Sequence, residues 1–286
     1  MMKACTVIGI LVFVLALPLA NAEAGTFLVG AKYWDAHWDS GVLDWFEKDI
    51  GVGFKALGVT LNSDVGQGTG YLAGPVLGYQ TDDGAWSFSF APMVISHFSQ
   101  DWHGTAGTMN LTTNIDTTRR DYDLAATYSL TQYKDKLSFL EYCRIYVGYK
   151  YQTVNYDLAL AYNTEMGNVN YDYELDAKVN MPTVGAGMVY PIFEKLVVGL
   201  QGGIGLALID LEMKDPEGNT FDIDPTYSFS YNAEGSLNFL PINNLIMQLG
   251  YRYQVWYLKA RSPQRWETTE SEDVTSGPTL TVVYTF

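Results

Sequence analysis

Between Thr226 and Phe239 the chain alternates without a break. Tyr227, Phe229, Tyr231, Ala233, Leu237 and Phe239 fall on one side, and Ser228, Ser230, Asn232, Glu234, Ser236 and Asn238 on the other. The same period of two runs through 86–98, where Trp86, Phe88, Phe90, Val94 and Phe98 share a face, and through 244–257 and 279–286. A period of two over such lengths predicts β-strands with one apolar and one polar face.

Two architectures produce that pattern, a soluble antiparallel sandwich and a membrane barrel whose apolar side chains meet lipid. The connections decide between them. Ten strands are predicted, near 26–38, 71–81, 85–100, 119–131, 143–156, 178–190, 195–209, 226–239, 244–258 and 277–286. Short turns at 82–84, 131–136, 191–195 and 240–244 alternate with long polar connections at 39–70, 101–118, 157–177, 210–225 and 259–276. Short turns on one side and long loops on the other mark a transmembrane, antiparallel, up-and-down β-barrel. About ten strands are expected, within a range of eight to twelve. Residues 51–62 leave room for an extra strand pair, a short helix or a plug.

The last strand ends on Phe286, with Leu280, Val282 and Tyr284 on the same face. It resembles the closing strand of Gram-negative outer-membrane β-barrel proteins of the small porin-like and OmpA-like kind. That resemblance implies an outer-membrane location among lipid and lipopolysaccharide. It also implies recognition of the C-terminal strand by the barrel-assembly machinery.

The first 22 residues carry Lys3, an apolar run from Val7 to Ala20, and Ala20-Asn21-Ala22. This is the pattern of a cleaved secretory signal peptide, which leaves 23–286 as the barrel domain. The run is shorter than the roughly 20 residues that a membrane-spanning helix needs. Beyond it Cys143 stands alone, so no intramolecular disulfide is available to the mature chain. Lys+Arg 17 against Asp+Glu 32 argues against nucleic acid as a partner, because phosphate binding needs clustered cations.

Three related stretches, "GAKYW" (30–34), "GYKYQ" (148–152) and "GYRYQ" (250–254), fall on predicted strands one, five and nine. Parity puts Ala31, Tyr33, Tyr149, Tyr151, Tyr251 and Tyr253 on the lipid side and Lys32, Lys150 and Arg252 opposite them. A Lys or Arg facing lipid near the bilayer midplane costs about 2–4 kcal/mol, so the cations are assigned to the lumen. By the same parity His97, Asp121, Asp123, Arg144, Gln201, Glu234, Gln248 and Gln254 also face inward. Lys32, His97, Asp121, Asp123, Arg144, Lys150, Glu234 and Arg252 are therefore the candidate lumen-lining residues. They form either a charge-paired polar filling or a selective ring.

For catalysis, "DAH" (35–37), "DWH" (101–103) and the pair Asp121 and Asp123 are similar to the Asp–His and Asp–Asp pairs of the omptin proteases, which are also ten-stranded barrels. That resemblance implies a water activated by an Asp–His pair at the extracellular rim. No nucleophile elbow, zinc-protease or phosphate-loop motif is present in the sequence. The acidic stretch 210–225 lacks the spacing of a calcium loop. No catalytic residue, metal site or cofactor is assigned. The expected function is a non-enzymatic structural barrel with a charge-paired lumen and long extracellular loops. A narrow passive channel for ions or small solutes is the alternative, and an omptin-like hydrolase stands third.

Overall fold

The computed structural model describes residues 25–56, 58, 60–164, 167–223, 227–261 and 268–286, so the leader read at 1–22 lies outside them. The strands are β1 (Gly25–Asp39), β2 (Leu61–Val65), β3 (Gly68–Thr81), β4 (Trp86–Met93), β5 (Ile95–Ala106), β6 (Met109–Ser129) and β7 (Cys143–Thr164). They continue with β8 (Gly167–Phe193), β9 (Leu196–Lys214), β10 (Thr220–Ile223), β11 (Tyr227–Ile242), β12 (Leu245–Arg261) and β13 (Thr268–Thr285). A single α-helix of the described residues, α1 (Gly41–Ala56), follows β1.

All pairings are antiparallel, and the order β1-β13-β12-β11-β9-β8-β7-β6-β4-β3 closes on itself because β3 returns to β1. β4 and β5 both lie between β3 and β6, so they are two halves of one wall strand broken at Val94. β2 and β3 lie end to end along β5 in the same way, and β10 is appended to β9. The ring therefore has ten positions. This is an up-and-down barrel whose ring of ten is closed, with β2 and β10 each paired on one side only.

Outward-facing Val29, Val147, Val184, Leu200, Ile204, Leu249 and Leu280 are exposed and form the apolar belt. Aromatic pairs border it on both sides, as membrane interfaces favour amphipathic rings. Trp86–Tyr128, Phe27–Tyr79, Tyr142–Tyr190 and Tyr284–Phe286 lie towards the short turns. Tyr33–Tyr71, Tyr122–Tyr151 and Tyr231–Tyr253 lie towards the other end.

Above that second girdle the polarity of the wall inverts. On β7, Ile145, Val147 and Tyr149 face out below, whereas Asn155 and Asp157 face out above and Val154, Tyr156, Leu158 and Leu160 are buried inside. On β9, Ile204, Leu206 and Leu208 face out below, and Asp210 and Glu212 above, with Ile209, Leu211 and Met213 turned inward. This corrects the reading of 101–118, 157–177, 210–225 and 259–276 as long polar loops. Most of their described residues continue the strands, and β5 passes into β6 through a tight turn with Gly107 at φ 64. Polar outward residues end the membrane span but not the strand, because ladder pairing continues wherever the inward face can bury itself. On the opposite side, the β6–β7 connection is longer than a simple turn, with single helical turns at Thr131–Tyr133 and Ser138–Tyr142.

The alternatives left open for 51–62 resolve into the end of α1 and the start of β2, with residues 57 and 59 outside the described set. Helix α1 caps the upper mouth. Ser40 Oγ accepts from the Leu43 N–H at 3.4 Å and shares a 2.6 Å hydrogen bond with the Tyr156 hydroxyl. A Cβ at position 41 would stand 2.8 Å from the Glu272 carbonyl carbon, so only glycine lets the helix start this close to β13. Val42, Leu43, Trp45 and Phe46 are buried, and Phe46 meets Trp102 and Tyr173 edge-on at 6.0 and 5.3 Å. Each such buried large side chain contributes about 1.5–3 kcal/mol.

Burial pushes the Asp44 carboxyl up to about 6, reinforced by Asp39 and, more weakly, Glu47 and Asp64, and opposed by Lys48. A raised carboxyl pKa means that the docked helix pays to ionise Asp44. The cost is absent below the unfolded value near 4 and complete above about 6. Intrinsic-rate-corrected amide protection in α1 is therefore expected to be greater at pH 4.5 than at pH 7. Asp44→Asn should flatten this difference, and an unchanged pH dependence in that variant would show that other groups control docking.

Candidate functional site

The inward face of the membrane section is polar because lipid claims the apolar face. Cross-strand register then places charges side by side. Asp123 on β6 lies opposite Lys150 on β7, and Glu234 on β11 lies opposite Arg252 on β12. The side chains also reach across the lumen. Arg252 Nη1 donates to Asp123 Oδ2 at 2.8 Å, joining β12 to β6 on the far side of the ring. Lys150 lies 2.5 Å from Asp121 Oδ2 and 3.6 Å from Asp123 Oδ1, and donates to Gln254 Oε1 at 2.7 Å. Lys32 makes a looser contact of 3.5 Å with Glu234, which also accepts from Gln201 and Gln248 at 3.5 and 3.4 Å.

The deepest pair involves a residue that the sequence reading passed over. Arg119 grips Asp121 with two parallel bonds of 3.0 Å and donates to Thr275 Oγ1 at 2.7 Å, and Arg119 and Asp121 are both fully buried. It stands two residues before Asp121 on the same face, so parity alone would have found it. Asp273 was also missed, because it lies in the stretch read as a loop. Its Oδ2 accepts from Trp38 Nε1 at 2.9 Å.

Trp34, the last residue of "GAKYW", separates two compartments. Its ring lies 5.0 Å from the Arg252 guanidinium, 5.7 Å from Lys150 Nζ and 5.8 Å from the Arg119 guanidinium. Such contacts are worth about 0.5–2 kcal/mol each, depending on desolvation. Above this floor Trp38 packs on Phe98 and Tyr156, and Trp102 and Trp256 are fully buried in the same core. Below it lies a cavity of about 410 Å³ of mixed polar and apolar lining, with Lys32, Asp123, Arg144, Tyr146, Gln201 and Glu234 among its residues. The Lys32, Asp123 and Arg252 side chains keep 13, 24 and 12% exposure, so solvent reaches them from the short-turn end.

Seven of the eight candidates face the lumen, and His97 does not. It is exposed on the outer wall. The break at Val94 inserts a residue between Met93, which is buried, and the β5 ladder, so inward positions change from odd to even. Phe98, read as lipid-facing, is fully buried for the same reason. A bulge of this kind is invisible to strict alternation. Arg144 faces the lumen without an ion pair among the described residues.

The omptin-like pairs are not assembled. Asp35, His37, Asp101 and His103 are exposed on the outer face of the wall, whereas Asp121 and Asp123 are inside. Asp210, Glu212 and Asp215 of the acidic stretch also lie apart. Asp215 accepts the amides of Glu217 and Asn219 in a turn, and no metal-binding cluster occurs among the described residues.

No protein-family model and no curated protein matches the sequence. Solved structures do. The chain is similar to the outer membrane protease OmpT from Escherichia coli, with 12% identity, 92% of this chain and 97% of that chain covered, and a TM-score of 0.54. It also matches the translocator domain of the autotransporter NalP from Neisseria meningitidis, with 9% identity, 98% and 95% covered, and a TM-score of 0.45. At such identities the likeness concerns the fold alone. The protein is a closed antiparallel β-barrel of the membrane-spanning kind, with an apolar outer belt bordered by aromatic girdles.

Proposed function

We propose that the protein is a sealed, non-enzymatic structural barrel that carries a rigid extracellular β-extension. One observation carries the reading. The upper lumen is filled by an apolar core, Trp34, Trp38, Phe98, Trp102, Tyr156 and Trp256, with α1 packed over it. Hydrated ions need a water-filled polar path, and the charged side chains at this level, Arg119, Asp121 and Asp273, are fully buried and held by one another or by the tryptophans. Below the core the charges brace opposite walls of a barrel narrow enough for side chains to meet. Export through residues 1–22, and assembly through β13 with its terminal Tyr284–Phe286 pair, belong to the same proposal.

Planar-bilayer recording of the purified protein tests it. The expected result is no single-channel current above the lipid background. Reproducible unitary current from the native protein would favour the channel reading. Lys150→Glu with Arg252→Glu would then be expected to alter its ion selectivity.

A further inference from the structure

We propose that the lower lumen is a binding site for a small oxyanion, a carboxylate or phosphate group, held by the guanidinium of Arg144. The first ground is charge. The cations facing the lumen from the wall strands are Lys32, Arg119, Arg144, Lys150 and Arg252. The carboxylates are Asp121, Asp123, Glu234 and Asp273. Counting every one of them as ionised, a positive charge is left over inside a barrel whose whole chain is formally −15. An unneutralised charge in a membrane-enclosed lumen is costly, and a counter-anion removes the cost.

The second ground identifies where the excess sits. Asp121 and Asp123 are committed to Arg119, Lys150 and Arg252. Glu234 lines the same cavity as Arg144, but it lies outside ion-pair distance and is engaged by Lys32, Gln201 and Gln248. The third ground is space. Arg144 borders the cavity of about 410 Å³, within the range of small-ligand pockets. Its side chain lies along Gly187, where an added Cβ would stand 3.1 Å from Arg144 Nε. A planar guanidinium left free beside a wet cavity presents parallel donors that match an oxyanion. Glu234 nearby disfavours ligands of high negative charge. Entry is from the short-turn end, because Trp34 closes the other. A dead-end site of this kind is compatible with a sealed barrel but does not depend on it. Current through the native protein would overturn the sealed reading and leave the binding test intact.

The test is calorimetric titration of the full barrel in uncharged detergent with acetate and with inorganic phosphate, against a chloride background. Saturable binding of at least one is expected, and which one binds distinguishes the two sources of oxyanion. Arg144→Gln should weaken it at least tenfold, Glu234→Gln should tighten it, and Lys134→Gln, on the exposed β6–β7 connection, should leave it unchanged. Should Arg144→Gln fail to fold, Arg144→Lys serves in its place, since it keeps the charge but lacks the parallel donors and is expected to weaken binding. Saturable binding of neither anion, or undiminished affinity in the folded Arg144→Gln or Arg144→Lys variant, overturns the proposal.

Discussion

Asp121→Ala is expected to destabilise the barrel by about 3–5 kcal/mol, the usual cost of leaving buried charge unpaired. Asp121 is completely inaccessible and accepts two bonds of 3.0 Å from Arg119, with Lys150 a further 2.5 Å away. Removing the carboxylate leaves Arg119 without a bonded carboxylate and Lys150 with only a 3.6 Å contact to Asp123, which Arg252 already holds. Urea-induced unfolding in lipid vesicles measures the loss. Adding Lys150→Met to Asp121→Ala should recover part of it, because one of the stranded charges then disappears. Glu174→Ala is the contrast. Its bond to Lys214 is also 3.0 Å, but the two side chains are 58 and 45% exposed, so a change below about 1 kcal/mol is expected. Equal effects at the two sites would mean that the Arg119–Asp121–Lys150 cluster is not a principal brace of the lumen.

The second large effect is expected for Trp34→Ala, also about 3–5 kcal/mol, from lost burial and the cavity left behind. The indole is fully buried and is approached by Arg252 and Lys150, with Arg119 packed against both it and Trp38, so its removal also leaves these cations beside a void. The same variant is expected to remain electrically silent. Trp38, Phe98, Tyr156 and Trp256 still close the lumen above the vacated position. Urea midpoints and bilayer recordings on one preparation read both quantities. Near-native stability would deny Trp34 its role as a floor. Steady current would show that it is the seal itself.

What could be read from residues alone follows from the cost of polar groups in lipid. That cost put the tyrosines flanking Lys32, Lys150 and Arg252 on the outer wall and sent the three cations inward, and Tyr33, Tyr149, Tyr251 and Tyr253 are indeed exposed. It holds for Asp121, Asp123 and Glu234 as well. It fails at His97 and Phe98, where the break at Val94 shifts the parity by one residue. A backbone irregularity has no hydrophobic signature of its own. Alternation also conceals the upper storey. There the outward face turns polar, which alone resembles a loop, and the apolar residues that accompany it declare a core only when opposite walls enclose them.

Sequence by itself therefore determined that the chain crosses a membrane as an antiparallel barrel and, where the alternation is unbroken, which face of a spanning strand turns inward, because these depend on local alternation and on the hydrocarbon surroundings. Only the tertiary structure decided how that lumen is used. Arg252 meeting Asp123, Lys150 meeting Asp121, Trp34 roofing them and α1 packed into the mouth all join segments far apart in the chain. Closure of the ring sets those distances, and no local pattern carries them. "GAKYW" shows the division well: its lysine was readable as a lumen charge, whereas its tryptophan became a floor only when ten wall positions closed around it.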